Sequence, residues 1–555
     1  MNEKLKIGIM LDSYIIPAWK YKIIEEITLS DFATLSLAIT NVNRNSSAIR
    51  KGNSGHGVYR LHKRIDRLIF RKSDDYSNSK DVKPFIQNVP EIQAYTIANG
   101  NFEEFCDECI DEIRRYDLDV ILKFGFGFLK GQILKIPEYG VWSYTMDNYG
   151  TDSDGTAGYF EMVMKNPITR SELVILNEDG KKDQIIASAD ESTCAYSVSL
   201  NRDKLFRRAS LFTVRVLRGI YQYDSRYLEG LKNKHKNEIR CKNVRMTAPS
   251  LNGSVRNFGA AISIILQKIF KKIFYSDPFS WILLFKIDDK NNFLEDSYGH
   301  FKKLQPSTDK FWADPFVISR EGRYYIFVEE FIYRKNKGHI SVLELDKKGK
   351  LLNVQKLIEK PYHMSYPFIF ETGGEYYMIP ETGGNRTIDL YRCIDFPGNW
   401  IFVKSIMRDV NAVDTTLFYY GGKWWLFTVI DEINSSLGGS PELFLFFSDD
   451  FLSDNWESHL CNPVVSDIRT ARPAGKVFIN DGKIYRPSQD CSGRYGQALN
   501  INQVLVLTEN EYKEVSVRKV EPDWDERLKG THTFNFDDSF TVIDVYSYRR
   551  RPFLY

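Results

Sequence analysis

The chain has 555 residues, with 75 basic against 73 acidic side chains and a net charge of +2. It is 43% hydrophobic and 14% aromatic, which supplies several cores and excludes a disordered or low-complexity chain. The balanced charge argues against nucleic acid as a partner, and seven scattered cysteines argue against a disulfide scaffold. At about 150 residues per domain, the length predicts a multidomain protein. The first residues lack a signal-peptide pattern, and no apolar run is long enough to span a bilayer. The expected location is therefore cytoplasmic.

Residues 1–230 alternate strand-like and helix-like segments. An apolar run at 6–11 is interrupted by Asp12-Ser13, and 102–115 has helical spacing. Residues 120–124 read as a buried strand, Gly125-Phe126-Gly127 as a turn, 129–136 as a short helix and 141–145 as another strand. This order predicts an α/β domain with a parallel sheet. The Gly-x-Gly turn lacks the third glycine of a dinucleotide fingerprint. Cys106-Asp-Glu-Cys109 has no second cysteine pair, so neither zinc nor redox chemistry is read there. Asp147, Asn148, Asp152 and Asp154 crowd one loop, which suits a nucleotide sugar, a metal or plain solvation.

Residues 231–300 read as a helical connector. A basic stretch at 232–245 precedes 260–274, where Ile262, Ile265, Leu266, Ile269, Phe270 and Ile273 share one helical face edged by Lys268, Lys271 and Lys272. Such a helix packs between domains or lies on an anionic membrane surface. A peripheral contact at the inner membrane face through 260–274 is the expectation kept open. The basic tail Arg549-Arg550-Arg551 suits solvent or acidic lipid.

Residues 301–555 carry a repeat: strand, tight turn, aromatic strand. The units open at Asp314, Tyr366, Asp414, Ala474 and His532, at intervals of 48 to 60 residues. Five such hairpins predict an all-β five-bladed propeller. The innermost strands of a propeller line its channel, so Asp314, Tyr366, Asp414, Arg472 and His532 should converge there. The second strands end in Glu329-Glu330, Glu381, Asp431 and Asp490, with Trp312, Tyr325, Tyr377, Trp424 and Trp425 nearby. Carboxylates bind sugar hydroxyls, aromatic rings stack on sugar faces, and glycosidic bonds are worked by paired carboxylates. Each residue taken alone also fits a turn cap or a core position.

The motifs FWADPF, SYPFIFE, VDTTLF, WWLF, RPAGKVF, YRPSQDCSGRYG and GTHTFN lie within 311–545. This stretch resembles the propeller at the N-terminus of glucosamine inositolphosphorylceramide transferases and, more distantly, glycoside hydrolase family 43. The second resemblance implies that Asp314 matches the hydrolase base and Asp414 the residue that tunes the acid. The hydrolase acid, a Glu opening the fourth blade, falls in Arg472-Pro473-Ala474-Gly475, where no carboxylate stands. Arg472 instead suits an anionic group or an ion pair with Asp414 or Glu381. Residues 117–145 resemble the centre of the formyltransferase fold, which implies a Rossmann-like domain over about residues 5–195. The Asn and His of that family fall on Ser143 and Thr145, and its Asp falls near Lys181, close to Asp179 and Asp183. A threonine hydroxyl does not titrate near neutrality, so formyl transfer is expected to be lost.

The resemblances and the carboxylates together predict a carbohydrate-active transferase in cell-surface polysaccharide biosynthesis. Asp314, Asp414 and Glu381 are its candidate catalytic residues. Tyr366, Arg472, Asp490, His532, Glu330 and Trp312 are its candidate substrate contacts, with Ser143, Thr145 and Asp147 as the N-terminal pocket. The expected partners are a sugar nucleotide donor and a glycan acceptor, which a lipid could carry; neither formyl-tetrahydrofolate nor a metal is expected. Three alternatives stay open: a glycan-binding scaffold of two degenerate enzyme folds, a glycosidase whose acid comes from Glu381 or Asp490, and a sugar N-formyltransferase.

Overall fold

The computed structural model describes residues 3–42, 57–70, 75–99, 102–146, 157–177, 183–236, 251–274, 279–288, 294, 298–432 and 441–548. The chain separates into two compact units, Met1–Gln267 and Lys268–Tyr555.

The first unit is built on a seven-stranded sheet. Its order is Gln184–Ser192, Ile168–Ile175, Val141–Thr145, Val120–Lys123, Leu5–Leu11, Ala33–Asn41 and Glu91–Ala94. The last five are mutually parallel, and the first two are an antiparallel extension. Helices cover both faces. On one, Trp19 of helix Ala18–Leu29 lies 5.5 Å from Phe206 of helix Val198–Tyr223 and 4.9 Å from Tyr144. On the other, Ile110 and Ile113 of helix Asp107–Arg114 pack on Leu37, Ile39 and Ile121.

Three readings change here. Residues 102–115 are not one helix: Phe102–Phe105 is a strand, paired with Thr96–Asn99 and Phe128–Leu129, and the helix starts at Asp107. Residues 129–136 reduce to one short 3₁₀ turn, Gln132–Lys135. Helix Ser225–Lys234 runs across the boundary expected at residue 230, because Tyr227, Leu228 and Leu231 are buried. Gly219 makes room for it, since a Cβ there would lie 2.2 Å from the Tyr227 ring.

Helix Leu251–Phe274 contains the amphipathic stretch, with Ile262, Leu266, Ile269 and Phe270 exposed. Among the described residues, no helix is long and apolar enough to cross a membrane.

The second unit contains five antiparallel sheets, which are five blades. The first four are consecutive: residues 310–358, 365–408, 412–458 and 472–520. In each of these four, two residues with positive φ close the first hairpin: Glu321-Gly322, Gly373-Gly374, Gly421-Gly422 and Asp481-Gly482. That is the turn whose twist matches paired strands, and it explains the repeated glycines of the sequence.

The fifth blade is composite. Strand Phe534–Asp537 forms its hairpin with Phe540–Tyr548, and the latter then pairs along its length with Phe279–Ile287. Residues 279–287, expected in the connector, therefore belong to the propeller and close its ring. Their run of apolar residues is buried on both sides of a sheet rather than along a helix.

Candidate active site in the propeller funnel

The innermost strands share a local distortion. The pairing slips between Ala313 and Phe316, between Ser365 and Phe368, and between Val413 and Thr416. At each bulge one residue is left-handed: Asp314 at φ +51°, Tyr366 at +43° and Asp414 at +53°. Non-glycine residues pay for that conformation only where the surroundings impose it, and such residues cluster at functional sites. In the fourth blade, Gly475 has φ +139°, and a Cβ there would meet the Phe534 carbonyl oxygen at 2.0 Å. Any side chain at 475 would force the fourth and fifth blades apart.

Side-chain bonds from these positions staple every neighbouring pair of blades. The Tyr366 N–H donates to Asp314 Oδ2 at 3.2 Å, and the Tyr366 hydroxyl meets Thr416 Oγ1 at 3.1 Å. Arg472 Nε donates to Asp414 Oδ2, which also accepts from Gln489 Nε2 at 3.1 Å. The Lys476 N–H donates to Asn535 Oδ1 at 2.8 Å, and Thr533 Oγ1 donates to Asp314 Oδ1 at 3.0 Å. A further bond crosses from the fourth blade to the second, where the Gly475 N–H donates to the Tyr366 hydroxyl at 2.8 Å.

Asp314, Asp414, Glu381, Arg472 and His532 thus surround one buried centre, with Glu329 and Asp544 added to it. Burial, with Asp414 and Asp544 beside it, pushes the Asp314 carboxyl up to about 6, despite the His532 imidazole and the Thr533 hydroxyl. Glu381 is pushed further, to about 8, by burial and by Asp414, with Arg472 opposing. Its Oε2 is buried and makes no hydrogen bond among the described residues. Burial and the surrounding carboxylates likewise hold Glu329 well above the usual carboxylate range. Too many carboxylates share the funnel for all to ionise together, and Glu381, at about 8, keeps its proton at neutral pH.

His532 sits between two carboxylates, with Nδ1 2.6 Å from Asp544 Oδ2 and Nε2 3.5 Å from Asp314 Oδ1. Burial would lower its imidazole, but Asp544 and Asp314 outweigh this and hold it above its ordinary value. The Trp281 indole stacks on it at 3.9 Å and 9°, and Tyr495 meets it edge-on at 5.3 Å. Arg472 lies over the Tyr495 ring at 4.8 Å. Asp314, His532 and Asp544 also offer donor atoms within 4.8 Å of one another. Here those atoms engage each other and Thr533.

His363 connects Glu329 to the surface. The Gly338 N–H donates to its Nδ1 at 3.0 Å, so the neutral ring carries its proton on Nε2, 3.4 Å from Glu329 Oε1.

Four candidates stand elsewhere or do other work. Successive side chains on a strand point to opposite faces, so Glu329 faces the funnel and Glu330 does not. Glu330 accepts from Trp312 Nε1 at 2.8 Å and pairs with Lys310 and His339. Burial alone would raise its pKa; the His339, Trp312 and Lys310 donors overcome that and bring it down to about 2. Trp312 is therefore the partner of Glu330, not a sugar platform. Asp490 pairs with Lys519 at 3.1 Å and accepts from the Ser492 N–H, while its neighbour Gln489 reaches Asp414. The Tyr366 ring is buried in the core and its hydroxyl is committed to Thr416 and Gly475. Because the depressed Glu330 carboxyl lends stability above its unfolded pKa and loses it as pH falls toward 2, Glu330→Gln should flatten acid unfolding below about pH 4.5. An unchanged acid limb in circular dichroism would contradict that.

In the first unit, Ser143 and Thr145 are buried on the strand Val141–Thr145. The Thr145 hydroxyl donates to Glu172 Oε2 at 2.9 Å, across the antiparallel pair. Asp147, Asn148, Asp152, Asp154, Asp179 and Lys181 lie outside the described residues. At the carboxyl ends of the central parallel strands, Asp12 Oδ1 accepts from the Phe126 N–H at 2.9 Å and from Asn41 Nδ2 at 3.1 Å. The strand order turns in opposite directions on either side of Leu5–Leu11, and open α/β sheets bind their ligands beside such a switch point.

Residues 302–547 match the family described as "Glucosamine inositolphosphorylceramide transferase 1, N-terminal". A protein of that name from Oryza sativa subsp. japonica is 33% identical over 228 residues, which is 40% of this chain and 30% of the relative. Its counterpart from Arabidopsis thaliana is 32% identical over 212 residues, 37% of this chain and 27% of the relative. The chain thus spans under a third of the length of the curated relatives it matches. Among solved structures, a family 117 glycoside hydrolase from Zobellia galactanivorans aligns at TM-score 0.31 and 15% identity, over 48% of this chain and 89% of that one. The α-L-arabinofuranosidase PaAbf62A from Podospora anserina aligns at 0.33 and 10%, over 48% and 95%. The propeller itself is read from the chain's own five sheets.

Proposed function

We propose that the chain is a carbohydrate-active transferase of cell-surface glycan assembly, with the propeller funnel as its sugar site. The carrying observation is that Asp314 and Glu381 belong to one buried carboxylate cluster, in which burial and Asp414 push Asp314 up to about 6 and Glu381 further, to about 8. Two groups whose environments separate them in this way can act as base and acid at the same pH. In this reading Asp314, ionised at neutral pH, takes the proton of the acceptor hydroxyl. Glu381, protonated, gives its proton to the leaving oxygen. Arg472 holds Asp414 in place and keeps positive charge beside the developing anion.

The relatives named above as transferases support sugar transfer, and their substrate name makes a lipid-linked acceptor the first to try. The donor proposed is a sugar nucleotide. In the first unit, the commitment of Thr145 to Glu172 fits a formyltransferase-like scaffold without formyl transfer. A second reading is hydrolysis, favoured by the same Glu381: it offers from the second blade the acid that the fourth blade lacks.

The pH profile tests the assignment. Activity should rise as Asp314 ionises through about pH 6 and fall as Glu381 loses its proton through about pH 8. These limbs belong to the coupled cluster. Incubating the full chain with sugar nucleotides and glycan acceptors, and reading products by mass, separates transfer from hydrolysis. Glu381→Gln should remove the alkaline limb; a limb that stays in place would assign the acid elsewhere.

A further inference from the structure

The cysteine pair that spacing alone leaves uninformative acquires a geometry in the fold. Cys106 is the N-cap residue of helix Asp107–Arg114, yet its side chain makes no capping bond. Its sulfur lies 2.8 Å from that of Cys109, one turn further on. The two differ in access: Cys106 is half-buried, and Cys109 is buried among Ile110, Ile113 and Leu118. A half-buried cysteine at the helix start with a buried one a turn below is the arrangement in which a thiol pair can attack and then resolve. The pair also follows a segment packed on the glycine turn at 125–127. Phe105 precedes Cys106, and its ring lies 5.3 Å from that of Phe126, whose N–H bonds to Asp12.

We infer that Cys106 and Cys109 are a redox-active dithiol that closes to an intramolecular disulfide when met by a small-molecule disulfide. The Cys106 thiolate attacks one sulfur of oxidised glutathione, forming a mixed disulfide and releasing one glutathione thiolate. The Cys109 sulfur, deprotonated as it attacks, then displaces the second glutathione. Two protein thiols become one disulfide, one small disulfide becomes two thiols, and the electrons balance. Burial raises the Cys109 thiol, with Cys106 adding to the shift, which suits the resolving rather than the attacking role.

The test uses the native full chain and oxidised glutathione at neutral pH, followed by acid quench and peptide mapping. The expected product is a peptide spanning residues 106–109 that is about 2 Da lighter and refractory to alkylation until reduced. Cys109→Ala should stop at the glutathione adduct on Cys106, and Cys106→Ala should leave Cys109 unmodified in the folded chain. A wild-type chain that keeps both thiols, or that accumulates the adduct at Cys106 without resolving it, overturns the inference. The wild-type map decides this even if a variant fails to fold.

Discussion

Asp314→Asn is expected to slow sugar transfer by about 10²–10⁴-fold, the usual worth of a positioned base, with little change in KM. The fold should survive. Asparagine tolerates the left-handed backbone that residue 314 adopts, and its carbonyl oxygen can still accept from the Tyr366 N–H or the Thr533 hydroxyl. Thermodynamics points the same way. The Asp314 carboxyl is raised to about 6, so its ionised form is disfavoured in the folded chain and stability is lost as pH rises through that value. A neutral amide removes that loss, and the variant should melt no lower than wild type at pH 7 to 8. Steady-state kinetics beside a melting curve read both. A variant that folds and turns over at full rate would remove Asp314 from the chemistry and leave it as a staple between blades.

The five hairpins were legible because a propeller repeats locally. Each unit carries its own glycine turn and aromatic second strand, and four of the five turns need positive φ at both residues. The closing strand Phe279–Ile287 was not legible, because its partner Phe540–Tyr548 lies at the other end of the unit. Nothing in an apolar run of nine residues says that it pairs across such a distance. Residues 102–105 misled for a related reason. Phe102 and Phe105 fit a helical period, while the pairing with Thr96–Asn99 that makes them a strand is a tertiary fact.

In the site, composition outran register. Glu329-Glu330 and Gln489-Asp490 each contain one funnel residue, and only strand parity tells which. Counting six residues onward from the residue after the hairpin turn leads from Arg323, Glu375 and Lys483 to Glu329, Glu381 and Gln489, and in the third blade from Lys423 to Val429, so the signal was present in three of these four blades. Asp544 lies on the last strand, and backbone and ring contacts together fix it to His532: Asp544 Oδ1 accepts from the His532 and Thr533 N–H groups at 3.0 and 2.9 Å. The left-handed bulges at Asp314, Tyr366 and Asp414 leave no trace in residue type, since only the ladder around them reveals the slip.

The pair Arg472–Asp414 carries the largest stability prediction. The Asp414 side chain is 2% exposed and that of Arg472 is 22% exposed, so the carboxylate has almost no water to fall back on. Arg472→Met removes its cation and leaves Gln489 Nε2 as its side-chain donor, at 3.1 Å. Breaking one side of a buried pair typically costs about 3–5 kcal/mol, because the remaining charge stays desolvated. At roughly 2–4 °C per kcal/mol for a unit of this size, the melting point of the propeller should fall by about 6–20 °C. Removing both charges is a different matter. Asp414→Asn in the Arg472→Met background should recover most of the loss, since no uncompensated charge remains. The single variant also predicts a change in titration. Arg472 opposes the upward push on Glu381, so without it that carboxyl should rise above about 8 and carry the alkaline limb of the pH profile upward. A single variant that melts within about 1 kcal/mol of wild type, the range of an exposed pair, would show that water reaches Asp414. An alkaline limb that moved downward would separate Arg472 from Glu381 altogether.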